Sequence, residues 1–158
     1  MPAEIGPDEF RRVLGQLPTG VTVLTAFAGG MPVGMAANSV TSVSLAPPLL
    51  LACPARTSET WPLLRSAGRF CVNVLAEPQA DLARRFSRRG IDRFEGIEWS
   101  ARDTGPGLPG AVAWIECALR SEHDAGDHTV VLADVLALEA AEGTPLVFFQ
   151  GRYGTFAG

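Results

Sequence analysis

Lysine is missing from this chain altogether, and its thirteen basic residues are all arginine. That excludes any mechanism built on a lysine Schiff base. Arginine instead suits planar, bidentate recognition of phosphate. Histidine is scarce, at two residues, and there is a single tyrosine. The three cysteines, Cys53, Cys71 and Cys117, are far apart in apolar runs (LLLAC, FCVNV, WIECAL), so the residues alone read as buried inert thiols with no zinc-site spacing. No stretch is apolar for long enough to span a bilayer, and MPAEIGPDEF at the start is acidic and proline-marked, unlike a secretory leader. A cytoplasmic protein with no membrane partner is expected. Basic excess is absent too: the formal net charge is −4, which argues against a nucleic-acid partner.

What is present is apolar. Of 158 residues, 47% are hydrophobic and 19% charged, enough for one globular domain over residues 1–158 with its own core. The mean hydropathy of +0.17 hints at apolar surface covered by another subunit. Pro7-Asp8 before EFRRVLGQL predicts a helix with Asp8 as N-cap and an apolar stripe of Phe10, Val13, Leu14 and Leu17, stopped by Pro18. GVTVLTAFAGGMPVGMA reads as two strands joined by a hairpin at Ala28-Gly29-Gly30. LLLAC and RFCVNVL read as strands, SETWPLLRSAG as a short helix with Pro62 in its first turn, and Gln79 to Phe86 as another helix. Residues 87–109 lack periodicity and predict a long irregular surface loop. The last third carries three strand candidates, around Ile115–Leu119, HTVVLADVLAL and PLVFFQGRYG, with Gly126 turning between the first two. Many strands and few short helices make a mainly β, barrel-like core the expected fold.

GPGLPG at 105–110 matches G-x-G-x-x-G literally, but no strand precedes it and no helix follows, so it is a turn and not a dinucleotide loop. GMAANSVTSVSLAPPLL at 34–50 places Asn38, Ser39, Thr41, Ser42 and Ser44 between two apolar runs. Such a cluster is either a hydroxyl-rich surface loop or a wall where a flat ligand meets small side chains and backbone N–H groups. In DLARRFSRRG, Arg84, Arg88 and Arg89 read as a solvated face, whereas Arg85 before Phe86 can reach a ligand phosphate. Arg56 is a second phosphate candidate, with Thr57, Ser58 and Thr60 as neutral partners. HDAGDH at 123–128 offers metal-ligating types, but a tight turn splays them; His123 reads as solvent-facing, and His128, held at the start of a strand, as the functional candidate.

The ordered series LPTGVTVLTA (17–26), GMAANSVTSVSLAPPLLLAC (34–53), FCVNVLAEPQADLARRFS (70–87), DRFEG (92–96), GDH (126–128) and PLVFFQGRYG (145–154) resembles the short-chain flavin reductases, the reductase components of two-component flavin-dependent monooxygenases. The resemblance covers nearly the whole chain. It implies an FMN-binding split β-barrel, mainly β with short helices, and a homodimer with flavin sites near the subunit interface. It implies that Asn38, Ser39, Val40 and Thr41 line the isoalloxazine, with Ser44 and Cys53 in the same landmark, and that Arg56, Ser58, Arg85 and Phe86 face the ribityl phosphate. Asp127 and His128 carry over from GDH, His128 positioning the nicotinamide and not donating a proton, and Tyr153 contributes to the same cleft. The cofactors implied are FMN or FAD with NADH, NADPH being possible; no metal is implied. Ala36-Ala37 stand where the family often has Thr before the Asn, and Ala46 where an acidic residue is common, which leaves FMN against FAD open. Reduced flavin is expected to leave and diffuse to a partner monooxygenase. The rival reading is a split-barrel protein holding its flavin tightly, as a redox sensor or a small-molecule oxidase.

Overall fold

In the computed structural model, which describes residues 2–158, the chain runs α1 (Pro7–Leu14), β1 (Thr19–Gly20), β2 (Thr22–Ala28), β3 (Met31–Ala37), β4 (Thr41–Leu45), β5 (Pro48–Ala52), α2 (Trp61–Ala67) and β6 (Arg69–Val74). A 3₁₀ turn (Glu77–Gln79) leads into α3 (Ala80–Arg85), followed by β7 (Ser100–Ala101), β8 (Pro106–Gly107), β9 (Ala113–Ala125), β10 (His128–Ala140), β11 (Leu146–Phe149) and β12 (Arg152–Thr155). Seven antiparallel strands form the main sheet in the order β3-β2-β6-β9-β10-β5-β4, and β1-β11-β12 form a smaller one. The main sheet ends at β3 and β4 without closing on itself, which agrees with a split barrel. No helix among the described residues is long and apolar enough to cross a membrane.

The β2–β3 hairpin turns at Gly29 and Gly30, both at positive φ (58° and 81°), where a side chain would be strained. Burial on both faces explains the near-continuous apolar run of β2, since Val23, Leu24 and Ala26 are all fully buried. One core cluster packs Leu24, Leu50, Trp61, Leu64, Phe70 and Val131 between sheet and α2; a second packs Val21, Leu75, Phe86, Leu108 and Leu146 below α3. Pro62 sits in the first turn of α2 as its φ requires, and Gly68 ends the helix at φ 73°.

Three sequence expectations are corrected. Gly6, not Asp8, caps α1, because Pro7 is already preset for the first helical turn; Asp8 then sits inside it, where a carboxylate still favours the N-terminus. PLVFFQGRYG is a hairpin and not one strand: Gln150 and Gly151 both take positive φ (51° and 73°), turning β11 into β12. The 87–109 segment is only partly a surface loop. It folds the small β7–β8 hairpin, and Thr104, Pro106 and Leu108 are buried. Hydrogen bonds hold it instead of an apolar pattern: Thr25 Oγ1 donates to the Pro106 carbonyl at 2.6 Å, and the Leu108 N–H donates to Asn73 Oδ1 at 2.8 Å. The Asn73 amide nitrogen donates in turn to the Val23 carbonyl at 3.1 Å and to Thr25 Oγ1 at 3.1 Å. The GPGLPG turn lies here, with Gly105 so close to the backbone of Thr25 and Ala26 that any Cβ would collide.

The helix ends at Leu14 with Gly15 as its C-cap, short of the expected stop at Pro18, so Leu17 lies beyond it, and the apolar residues read as its stripe are uncovered. Phe10, Val13, Leu14 and Leu17 are 43–63% exposed, and no residue of the helix is buried.

Candidate functional site

The end of β3 and the residues after it supply one wall of a cleft of about 650 Å³, lined there by Met35, Ala36, Ala37, Asn38 and Ser39. Only short side chains follow Met35, so the wall is low and flat. Ser39 is anchored by its Oγ, which accepts from the Cys53 N–H at 2.9 Å, tying this wall to the end of β5. The floor is Phe86, fully buried, whose ring lies directly under Gly34: a Cβ there would stand 2.9 Å from Phe86 Cε1. The Ala36 N–H donates to the Phe86 carbonyl at 3.1 Å, which ties β3 to the end of α3.

The facing wall is residues 53–60. Pro54 accepts from the Thr129 N–H at 3.0 Å, the Arg56 N–H donates to the Asp127 carbonyl at 2.9 Å, and Ala55 bridges His128. This lays the segment along the start of β10 and fixes His128 at the cleft edge. Its Nδ1 lies 2.8 Å from Asp127 Oδ1, and that hydrogen bond holds the Asp127 carboxyl below its ordinary range. Nε2 is thereby the nitrogen presented beyond the pair. Ser58 Oγ accepts from the Trp61 N–H at 3.0 Å, linking the wall to α2.

A third side comes from the tip of α1 and the β11–β12 hairpin: Leu14, Leu17, Phe148 and Gln150 line it, and Gln150 donates its N–H to the Gly15 carbonyl at 3.1 Å. Thr19 lies on this side, and its Oγ1 is buried without a hydrogen-bond partner among the described residues. Arg89 and Arg93 stand at the remaining end beside Ser87, Glu59 and Thr60. Arg93 donates Nη1 to the Gly34 carbonyl at 2.8 Å and to Thr60 Oγ1 at 3.0 Å, and its Nε to the Arg88 carbonyl at 2.8 Å. Burial first, and the nearby Arg89 charge second, lower its pKa from the usual arginine range.

Of the residues singled out in the sequence, Asn38, Ser39, Cys53, Ser58, Phe86 and His128 line this cleft together, and Asp127 backs His128. The others do not line it. Arg85 gives its Nε to the Arg93 carbonyl at 2.7 Å and its Nη2 to the Asp92 and Glu95 carbonyls, so its guanidinium braces the 92–95 turn. Arg56 faces a neighbouring depression, 3.7 Å from Asp124. Val40 packs against the first core, while Thr41 and Ser44 lie on the edge strand β4, paired with Leu51 and Leu49. Tyr153 packs on Phe148 with centroids 5.3 Å apart, under Arg84. Sequence reasoning passed over Thr19, Arg89 and Arg93. Arg93 sits in the DRFEG landmark, the one sequence signal that could have singled it out; Arg89 looked like any solvated arginine. In HDAGDH, Asp124 turns to Arg56, His123 to Ser121 and His128 to Asp127, and no cluster of three ligating side chains suited to a metal exists among the described residues.

A flat wall, an unfilled hydroxyl and a cationic end fit a planar ring carrying an anionic tail, and the volume is that of a small-molecule site with room for a second ring. A family model described as the flavin reductase like domain matches residues 14–157, and the chain belongs to that family. The reductase subunit HsaB of a flavin-dependent monooxygenase from Rhodococcus jostii (strain RHA1) is 48% identical over 151 residues, covering 94% of this chain and 77% of HsaB. The FMN reductase (NADH) SmoA of Agrobacterium fabrum is 43% identical, covering 94% of this chain and 85% of SmoA. Among solved structures, the Streptomyces globisporus NADH:FAD oxidoreductase SgcE6 in complex with NAD and FAD fragments has a TM-score of 0.90 at 37% identity, covering 99% of this chain and 98% of SgcE6.

Proposed function

We propose that this chain, as a single domain over residues 1–158, is an NAD(P)H-dependent flavin reductase that reduces free FMN or FAD and supplies the reduced flavin to a partner monooxygenase. The observation that carries this reading is one cleft combining a flat small-residue wall at Ala36–Ser39, a cationic end at Arg89 and Arg93, and a fixed imidazole at His128.

Bound flavin supplies the electron-accepting ring, which takes a hydride from the dihydronicotinamide. The chain's own residues align the two. Ala36 to Ser39 would hold the ring against the cleft wall, with the buried Phe86 beneath. Thr19 and Asn38 meet its polar edge, while Arg89, Ser58 and Ser87 receive the phosphate end. His128, oriented by Asp127, positions the nicotinamide through Nε2 on the exposed side. Holding two reactants in register supplies about 7–11 kcal/mol in favourable general cases, so hydride transfer here needs alignment and no catalytic acid or base. The open cleft suits a flavin that arrives and leaves as a substrate.

The protein works as a homodimer in the cytoplasm, where its dinucleotide reductant is found. Support for the dimer comes from uncovered apolar groups: Val43 and Leu45 of β4 and Leu136 and Leu138 of β10 gather at one end of the sheet, 46–92% exposed, in addition to the α1 stripe. Light scattering at micromolar concentration reads the mass directly, and a monomer there overturns the dimer.

The decisive test is steady-state oxidation of NADH and NADPH with FMN, FAD and riboflavin. Multiple turnovers of free flavin, with faster oxidation of NADH, are expected from protein that purifies pale. One tightly held flavin per chain and no reduction of added flavin overturns the reading in favour of a sensor or oxidase.

A further inference from the structure

The cleft does not end at its arginines. A second cavity of about 200 Å³ opens on their far side, and Arg89, Arg93, Glu59 and Thr60 line both spaces. Its outer walls are apolar: Pro32 and Val33 of β3, Leu63 of α2, and Ile91 in the loop after α3. Leu63 and Ile91 are 44% and 43% exposed, so neither is needed to fill the core, and both line this cavity with uncovered apolar surface. Asp92 and Glu59 lie on its rim.

The dividing wall is unusual in its charge. Arg93 is half-buried, and Arg89 donates Nη2 to the Thr57 carbonyl at 2.9 Å with its Nη1 3.8 Å from Glu59. Arg93 is disfavoured first by burial and second by the neighbouring Arg89 charge, with the Glu59 carboxylate offsetting part of the effect. An anion lying between the two arginines relieves both, and guanidinium groups bind phosphate oxygens in paired hydrogen bonds.

We propose that this annex receives the adenosine 5′-phosphate half of FAD, with the diphosphate crossing beside Arg89 and Arg93, and that the chain therefore prefers FAD to FMN. The inference rests on the flavin reductase reading and names its substrate. A purine face can rest on the apolar surface that Leu63 and Ile91 leave uncovered, and the Glu59 and Asp92 carboxylates can accept from its exocyclic amine and the ribose hydroxyls. FMN reaches the same arginines with its terminal phosphate but leaves the apolar slot unfilled. NADH carries the same adenylate chemistry, so the test separates the two sources.

KM values for FAD, FMN and NADH are measured for the wild type and for Ile91→Asp and Ile91→Asn, both changes at an exposed position. The wild type is expected to show a KM for FAD about tenfold or more below that for FMN, the effect of burying roughly 55 Å² of apolar surface at about 25 cal/mol per Å². Both variants raise the FAD-to-FMN ratio of KM about tenfold, the neutral Asn showing that charge alone is not responsible. Adenosine monophosphate competes with FAD in the wild type and loses that effect in the variants. Equal KM values for the two flavins with no change in ratio overturn the proposal while the reductase reading stands. So does a change that falls on the KM for NADH with FMN as acceptor, which assigns the annex to the reductant. Failure to oxidise NADH with any flavin defeats the reading itself.

Discussion

Two polar regions of this molecule use the same small side chains in opposite ways. In the seam under β2 and β6, Thr25, Asn73 and the 104–108 segment turn their hydrogen bonds on one another: Asn73 alone reaches the Val23 carbonyl, the Thr25 hydroxyl and the Leu108 N–H, and all three residues are fully buried or nearly so. In the cleft, Ala36 to Ser39, Ser58, Thr60 and Thr19 surround open space. A buried polar group without a partner costs about 1–3 kcal/mol; the seam satisfies its groups from within the chain, as do Ser39, Ser58 and Thr60 of the cleft, whereas the buried Thr19 Oγ1 there has no partner among the described residues. Polarity in a run of apolar sequence thus marks a clamp in one case and a binding wall in the other.

The sharpest way to break this contrast is to unmake the clamp. Asn73→Leu leaves the Leu108 N–H unpaired and should lower unfolding stability by about 3 kcal/mol, seen as a lower urea midpoint at unchanged slope. An unaltered midpoint would mean the 104–108 segment is not held by that seam. Gly34→Ala strikes where the two regions meet, because the new Cβ falls 2.9 Å from Phe86 Cε1 and 3.2 Å from the Leu24 carbonyl oxygen. A loss of about 2 kcal/mol, together with a higher KM for flavin as the floor shifts, is expected; a stability loss with flavin KM untouched would detach Phe86 from the site. His128→Ala should act on the cleft alone, raising the KM for NADH about tenfold while flavin affinity measured by fluorescence quenching stays near wild type. The reverse pattern would move His128 from the nicotinamide to the flavin.

The smallest effect concerns the thiols. Burial pushes Cys71 and Cys117 up to about 12, and Cys53, at the cleft edge, is raised less. In native protein at mild alkaline pH only Cys53 should react with a thiol reagent at a measurable rate, all three reacting after denaturation. The sign of the stability effect follows from the unfolded chain ionising near its ordinary value of 9.0: the contribution is whole below that pH and is lost progressively as pH rises toward 12. Rapid native labelling of Cys71 would show that the sheet opens there.

Much of this was legible in the sequence because local physics and fold agree. The Gly29-Gly30 turn, the Trp61-Pro62 helix start and the alternation after Ala113 depend on backbone preferences that no tertiary contact opposes. Where tertiary bonds decide, the sequence was misleading. Residues 104–108 have no apolar period, yet side-chain hydrogen bonds from other strands bury them. Gln150 is an unusual residue for positive φ, so the hairpin inside PLVFFQGRYG carried no turn signal before its glycine. At the site, Asn38, Ser39, Ser58 and His128 lie on the walls of one cleft, whereas Arg56 and Arg85 do not line it and Arg89 and Arg93 do. Arg85 is absorbed by three backbone carbonyls, and Arg89, four positions later and past the end of α3, reaches the cleft instead. Nothing in DLARRFSRRG distinguishes the two, because the difference is made by where the 88–95 loop turns.

The most direct test is a crystal structure of the chain with oxidised FAD bound. The ring should lie flat against Ala36 to Ser39 with its phosphates at Arg89 and Arg93, leaving the His128 side open for nicotinamide. A ring bound elsewhere, with those residues untouched, would contradict the account.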